Sequence, residues 1–598
     1  MNDRIFSRAG LVGLVLSLLG GLILFQMARI QASPGGQQLK VIGRETYEFT
    51  KVWIEPERGK IYDRWGSLLA GNREVYEVGL NLIDVRNPET IAKDLSEVLD
   101  LPHSEILAKA RTPYDKEKAV YLVIDSFVSQ EKIAELEKRR TEYSNLQLDR
   151  RQTRDQDYIP PSLRGVTWRP HLQRVYPEKT LASNVLGFYA FMSKTGAKPY
   201  FGIEQQYNEL LSGTPVEAVY YFDPNKAAKF PDVPPGASLL LTIDREIQVT
   251  VEQILDDAVV ANGAESGTII VADPRTGEIL AMATTPRMDL NEYWILDEIF
   301  PNPIPFNRAI GQSYEPGSVF KVITFAAALD SDTITPDQTF LDTGVFNYGG
   351  HNIYNWDRGA WGPQSMLGCM QHSLNVCLAW MAVEMGPATF YEYLHAFGIS
   401  RRTNIDLGGE VKFPLPLPGD SYWADINLAT NSFGQGLSTT PIQMVAAISA
   451  IANDGKMMAP HVLKAVIADG HQRDVTPTVV SQPISAETAR MVTEMLAVSL
   501  ETEASSALVP GYRVAGKTGT GEIPAPGGYL IDKTNASFVG WGPVDDPRFI
   551  VYVWLEKPTS SIWGSVVAAP VFSEVVRNIT VLMNLPPDDV RQQLFSSQ

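Results

Sequence analysis

Ser318-Val-Phe-Lys321 follows a Pro316-Gly317 turn and opens an almost wholly apolar stretch, Val319 to Leu329. In a helix this spacing sets a hydroxyl and an amine one turn apart on the same face. A stretch apolar on every side makes a buried helix rather than a half-exposed one. Burial disfavours the ammonium form, so Lys321 is expected to carry a lowered pKa and to exist partly as the free amine. Such an amine takes the proton of a neighbouring serine and makes a nucleophile without a histidine. The chemistry indicated is serine acyl transfer. The competing roles are a helix N-cap for Ser318 and a snorkelling surface lysine for Lys321, which its apolar neighbours disfavour.

A lone SxxK pattern carries little weight. Ser129-Gln-Glu-Lys132 is a decoy on a charged helix, where water keeps the lysine protonated. Two further clusters strengthen the reading. Ser373-Leu-Asn375 sits between two helix-like stretches and places a second hydroxyl and an amide on a short loop. Gly516-Lys-Thr-Gly-Thr520 reads as a strand, where Gly519 leaves room for a substrate backbone and Lys517, Thr518 and Thr520 suit a carboxylate. A second decoy, Lys194-Thr-Gly196, precedes the serine in a loop-rich region. Ser373 and Asn375 have an alternative as ordinary loop and cap residues, and Thr518 and Thr520 as plain strand residues. His372 adjoins the second cluster but is offset by one residue, so a structural role is expected for it.

The elements that must position these residues show in the pattern. Ile247 to Val259 is an amphipathic helix, and Thr268 to Val271 and Ile279 to Ala283 are strands around the turn Asp273 to Gly277. A long, mostly helical middle is expected from about Val319 to Asn453. Strands return at Tyr512 to Thr520, Ala536 to Trp541 and Phe549 to Leu555, closed by a helix from about Val571 to Leu582. This fits an α+β unit with a mainly antiparallel sheet and helices packed on it. Upstream, Arg58 to Ala70 reads as a hairpin turning at Asp63 to Gly66, with Asp63 architectural, and Pro88 to Glu142 reads as charged and helical. A loop-rich junction runs through Pro231 to Gly236.

In the order SxxK, SxN, KTGT, the three clusters resemble those of penicillin-binding proteins and serine β-lactamases. The resemblance extends to class B penicillin-binding proteins. Arg58-Gly-Lys-Ile-Tyr-Asp-Arg-Trp-Gly66, Arg174-Val-Tyr-Pro177 and Gly202-Ile-Glu204 look like boxes of their N-terminal pedestal. Tyr314-Glu-Pro-Gly-Ser318 and Ser432-Phe-Gly-Gln-Gly436 look like their transpeptidase domain, and the division-type branch fits better than the elongation-type. Gly521 departs from an alanine often found after KTGT. No domain of glycosyltransferase size precedes the pedestal, which disfavours the bifunctional class A.

The resemblance implies a five-stranded, mainly antiparallel sheet flanked by helices, after a transmembrane helix and an elongated α/β pedestal. It implies a D,D-transpeptidase that cross-links peptidoglycan stem peptides and is inhibited by β-lactams. Ser318 would attack, Lys321 would be the general base, Ser373 would relay a proton and Asn375 would hold the substrate amide and contact Lys321. Lys517, Thr518 and Thr520 would bind the terminal carboxylate along the Gly519 strand. A SEDS-type membrane glycosyltransferase is the implied partner. A D,D-carboxypeptidase or β-lactamase with the same nucleophile stays open, since they differ in whether water or an amine attacks the acyl-enzyme. A non-catalytic scaffold or β-lactam sensor is the reading from another class. Intact Ser318, Lys321, Ser373 and Lys517 speak against the scaffold, and only Met1 to Arg8 precede the span to carry a sensor's cytoplasmic module.

The chain has 598 residues, enough for two or three domains. The expected bounds are a short cytoplasmic tail at 1–8, an anchor at 9–28, a pedestal at 40–230, the transpeptidase domain at 238–585 and a tail at 586–598. Ala9 to Ala28 is free of charge and about 30 Å long as a helix, enough to cross a bilayer once. A cleaved signal peptide is the rival, disfavoured because no clean cleavage site follows. Ser33 to Gln38 reads as a spacer. Flanking charges do not decide orientation; peptidoglycan chemistry would place the catalytic domain on the extracytoplasmic side of a bacterial cell membrane. A formal net charge of −18 argues against nucleic-acid binding. No CxxC or HExxH occurs and the seven histidines are scattered, so neither a metal nor a cofactor is expected. Cys369 and Cys377, if on one continuous helix, would lie about 12 Å apart, too far for a disulfide. Both are read as buried small residues, with a pairing across a loop as the alternative.

Overall fold

The computed structural model describes residues 8–47, 49–146, 158–192, 196–222 and 231–596. The chain separates into two units, residues 1–58 with 212–236 and residues 59–211 with 237–598. In the first unit, Arg8–Ala32 is an apolar helix. Its stretch Gly10–Ala32, 23 residues with a mean hydropathy of 2.2, is long and apolar enough to cross a membrane. Residues 1–7 of the expected tail lie outside the described residues. The spacer expected at Ser33 to Gln38 is instead the start of a helix, Pro34–Tyr47. Proline at a first helical position costs nothing because that N–H has no partner in any case, and Ser33 Oγ accepts from the Gly36 N–H at 3.0 Å. Strands Phe49–Ile54 and Val216–Tyr221 then pair antiparallel.

The second unit is built on two large sheets, of seven and five strands, beside smaller two-stranded pairs. The seven-stranded one is built on the long strand Leu68–Asn81, flanked by Tyr121–Val128 and Val166–Val175. Ile61–Tyr62 pairs with it as the expected hairpin and continues in parallel to Ser238–Leu241. Asp63 is architectural, as expected: its carboxylate accepts from the Trp65 and Ser67 N–H groups. The segment expected to be wholly helical, 88–142, is three helices with the strand Tyr121–Val128 inserted before the last.

Around the candidate site we label α1 (Arg245–Asn262), β1 (Ser266–Ala272), β2 (Ile279–Thr284), α2 (Lys321–Asp330), α3 (Met366–Gln371), α4 (Asn375–Ala396), α5 (Pro441–Ala452), α6 (Ala486–Glu503), β3 (Ala515–Ala525), β4 (Gly528–Gly542), β5 (Phe549–Glu556) and α7 (Ala569–Leu582). The five strands form one antiparallel sheet in the order β2-β1-β5-β4-β3. Successive side chains point to opposite faces. Ile269, Val551, Val553 and Phe538 face one core with α1 and α7, while Ile270, Tyr552, Trp554 and Trp541 face a second core with α2, α4, α5 and α6. Burial on both faces explains why these strands read as apolar runs rather than alternating patterns. The helical middle carries an addition the pattern did not show, the antiparallel pairs Thr339–Asp342 with Gly362–Ser365 and Val345–Tyr348 with His351–Tyr354. These strands are four residues each and largely exposed, too short for a hydrophobic period to mark them. The stretch Gly564–Leu582, which ends in α7, is long and apolar enough to span a membrane, but its inner face belongs to the core.

Candidate active site

Ser318 lies in a 3-10 turn, Gly317–Phe320, that runs directly into α2. It is inside the turn, where the N-cap position belongs to Pro316. Every residue of α2 from Lys321 to Leu329 is buried, so the apolar stretch is a core helix as its composition requires. Lys321 is fully buried. Its Nζ donates to the Ser373 carbonyl at 2.6 Å, to Asn375 Oδ1 at 2.7 Å and to Ser373 Oγ at 3.1 Å. All three acceptors are neutral. Burial first, and the nearby Lys517 charge second, hold this amine well below the usual lysine range.

Ser373 and Asn375 reach the lysine because the chain breaks between α3 and α4. Ser373 has a φ of 52°, the left-handed region that is costly for a residue with a Cβ. The turn is held by N–H groups of Ser373 and Leu374 donating to the carbonyls of Met370 and Cys369. A disulfide joins Cys369 and Cys377, whose Cα atoms are 6.1 Å apart. The expectation of two unpaired cysteines on one helix is therefore corrected: α3 ends at Gln371 and α4 starts at Asn375, so the reversal closes the gap. His372 has the structural role expected of it, stacked on Trp361 with centroids 4.1 Å apart.

Lys517, Thr518, Gly519 and Thr520 lie on β3, the outer strand of the sheet. β3 packs on the nucleophile turn backbone to backbone. A Cβ on Gly519 would stand 2.8 Å from Val319 Cγ1, and one on Gly317, at φ +58°, would stand 2.5 Å from the Thr520 carbonyl. Both positions thus require glycine, one for space and the other for conformation as well. Lys517 Nζ contacts the carbonyl and hydroxyl of Thr518, each at 3.4 Å. Thr520 Oγ1 accepts from the Gly564 N–H at 3.2 Å, so its proton is directed elsewhere. The structure brings all eight expected residues to one place, between an outer strand and a helix-borne loop. The decoy lysine is elsewhere: Lys132 is paired with Asp100 at 2.9 Å on the surface.

Sequence reasoning did not find several residues beside the site. Trp356 and Trp563 meet edge to face, centroids 5.5 Å apart, next to the Ser373 loop and Thr520 of β3. Glu315 accepts from the Tyr529 hydroxyl at 3.1 Å. A carboxylate within the Tyr-Glu-Pro-Gly-Ser run was the available signal for the last of these. Thr324 Oγ1 ties α2 to the Ser432 carbonyl at 2.7 Å.

Residues 267–577 match the penicillin binding protein transpeptidase domain and residues 53–229 the penicillin-binding protein dimerisation domain. Stage V sporulation protein D of Bacillus subtilis (strain 168) is 33% identical over 569 residues, covering 92% of this chain and 82% of that protein. Peptidoglycan D,D-transpeptidase FtsI of Escherichia coli (strain K12) is 30% identical over 441 residues, 72% of this chain and 71% of the relative. Among solved structures, penicillin binding protein 2X from Streptococcus thermophilus superposes with a TM-score of 0.71 at 24% identity, covering 89% of this chain and 80% of that one. The chain belongs to the penicillin-binding proteins of class B, with a dimerisation domain followed by a transpeptidase domain.

Proposed function

We propose that this protein is a peptidoglycan D,D-transpeptidase, septal rather than lateral in role, that works through a Ser318 acyl-enzyme. The observation that carries the reading is the buried Lys321 amine, which meets three neutral oxygens and, among the described residues, no carboxylate. A lysine so placed is a base rather than a structural cation. Lys321 takes the Ser318 proton as Oγ attacks the carbonyl between two D-alanines. Ser373, touching the same amine, passes the proton to the departing D-alanine nitrogen. The amine of a second stem peptide then attacks the ester, its proton passes by way of Lys321 to the departing Ser318 oxygen, and the cross-link forms. Asn375 holds the donor amide, and Lys517 with the Thr518 and Thr520 hydroxyls binds the terminal carboxylate. An extended donor adds to the outer edge of β3 by backbone pairing. The N–H groups of Ser318 and Thr520 stabilise the oxyanion, worth about 3–4 kcal/mol per donor in comparable sites.

The same chemistry places residues 238–585 on the extracytoplasmic side, with residues 9–28 as a single-pass anchor and residues 40–230 as the pedestal. A SEDS-type glycosyltransferase is the partner proposed for the anchor and pedestal. β-Lactams are the inhibitors proposed to acylate Ser318.

The test is labelling of the purified full-length protein in detergent by a fluorescent penicillin, beside Ser318→Ala. A stable label lost in the variant supports the acyl-enzyme. Rapid turnover of the label would move the assignment to a β-lactamase, and an unlabelled but folded wild type would leave a non-catalytic scaffold.

A further inference from the structure

β4 pairs with β5 only from Asn535 to Gly542. Beyond that point residues 522–534 continue as a two-stranded arm, with Glu522 opposite Thr534 and Pro524 opposite Tyr529 across a register shift. An isolated two-stranded arm is marginal in water, so side-chain tethers decide where it sits. Two of them join this arm to the segments around Ser318. The Tyr529 hydroxyl donates to Glu315 Oε2 at 3.1 Å, and the Gln435 amide donates to the Glu522 carboxylate.

Glu315 is a fixed anchor point. It is 7% exposed and two residues from the 3-10 turn that carries Ser318. Its neighbour Tyr314 is bonded in both directions to Thr439, at 2.9 and 3.0 Å, and its hydroxyl meets that of Tyr552 on β5. We infer that Glu315 is a positioning residue that latches the outer arm of the β3–β4 hairpin over the nucleophile turn. This rests on the acyl-enzyme reading above, because the arm matters only if substrate is acylated beneath it.

The groups that act on the Glu315 carboxyl are identifiable. From the arm they are Tyr529 and Glu522; from the loop 434–436 the Gly436 N–H donates to it. Burial first, and the Glu522 charge after it, outweigh the two hydrogen bonds and push this carboxyl up to about 7. When the arm swings away the carboxyl meets water and returns toward the ordinary carboxylate range. The closed arm thus binds a proton more tightly than the open one. Closure is unaffected at pH values where both forms are protonated, weakens as pH rises toward about 7, and stays weak above it.

The experiment is the acylation rate of the full-length protein by fluorescent penicillin from pH 5.5 to 9, for wild type, Glu315→Gln and Tyr529→Phe. Dividing the wild-type rate by the Glu315→Gln rate cancels the titration of Lys321, which both share. That ratio is expected to fall severalfold from pH 5.5 to about 7 and to level off above it. Tyr529→Phe, lacking the donor, is expected to acylate slowly at every pH. A flat ratio overturns the latch while leaving the acyl-enzyme intact. If Glu315→Gln lacks a cooperative melt, Tyr529→Phe decides alone, and a wild-type rate in it overturns the latch. An unlabelled wild type would end the acyl-enzyme reading, and the latch with it.

Discussion

Two buried cations in the same unit have opposite fates. Arg174 and Glu204, with side chains 1% and 0% exposed, pair at 2.7 Å where strand Val166–Val175 meets the short helix Gly202–Gln206. Arg174 also donates to the Gly59 carbonyl and to Asn72, and Glu204 accepts from Tyr176. Lys321 is equally buried, but its partners are a carbonyl, an amide oxygen and a hydroxyl, and its nearest charge is another cation. A carboxylate balances the first cation and makes it an architectural tie. Among the described residues no carboxylate balances the second, so its proton is held loosely, as the proposed role of a base requires. Burial alone does not separate structure from chemistry; the charge of the partner does.

That contrast can be broken by experiment. Lys321→Met keeps the volume and removes the amine; β-lactam acylation is expected to fall roughly a hundredfold to ten-thousandfold, with the melting temperature unchanged or raised. A large loss of stability instead would make Lys321 a tie like Arg174. Glu204→Gln should do the reverse, costing about 3–5 kcal/mol of unfolding free energy by chemical denaturation because it strands a buried charge. Acylation per folded molecule should stay at the wild-type rate. A third variant tests what holds the acceptors of Lys321. Cys377→Ala opens the ring around Ser373, and about 2 kcal/mol of stability should go with it, together with a few-fold slower acylation as the left-handed Ser373 relaxes. The smallest effect sharpens the electrostatics. Lys517→Ala removes the cation that helps depress Lys321, so the rising limb of the acylation profile should move to higher pH. The sign follows because the neutral amine is the active base, and less repulsion lets it keep its proton longer. An unmoved limb would leave burial as the sole cause.

Much of the catalytic unit was legible from its residues. The three clusters lie where composition placed them, since Val319 to Leu329 is almost wholly apolar and β1, β5 and the 536–541 part of β4 are apolar runs. The short strands between 339 and 365 were not legible, because four exposed residues are too few to show a hydrophobic period. The helix at Pro34–Tyr47 was misread from its first residues, where two glycines and two glutamines look like a spacer. The cysteine pair was misread for a different reason. Helical rise was applied across the short loop at Ser373 to Asn375, whose left-handed reversal, seen only in the structure, brings the two cysteines together.

By itself the sequence determined the order of the reacting groups, the burial of Lys321 and the strand that carries Lys517, because hydrophobic pattern reports which segments leave water. Only the tertiary structure decided that the Lys321 amine meets Ser373 and Asn375, that Cys369 reaches Cys377 and that Glu315 holds Tyr529. Those partners are distant in sequence or separated by a chain reversal. Local pattern records burial, and the packing of whole elements chooses the partner.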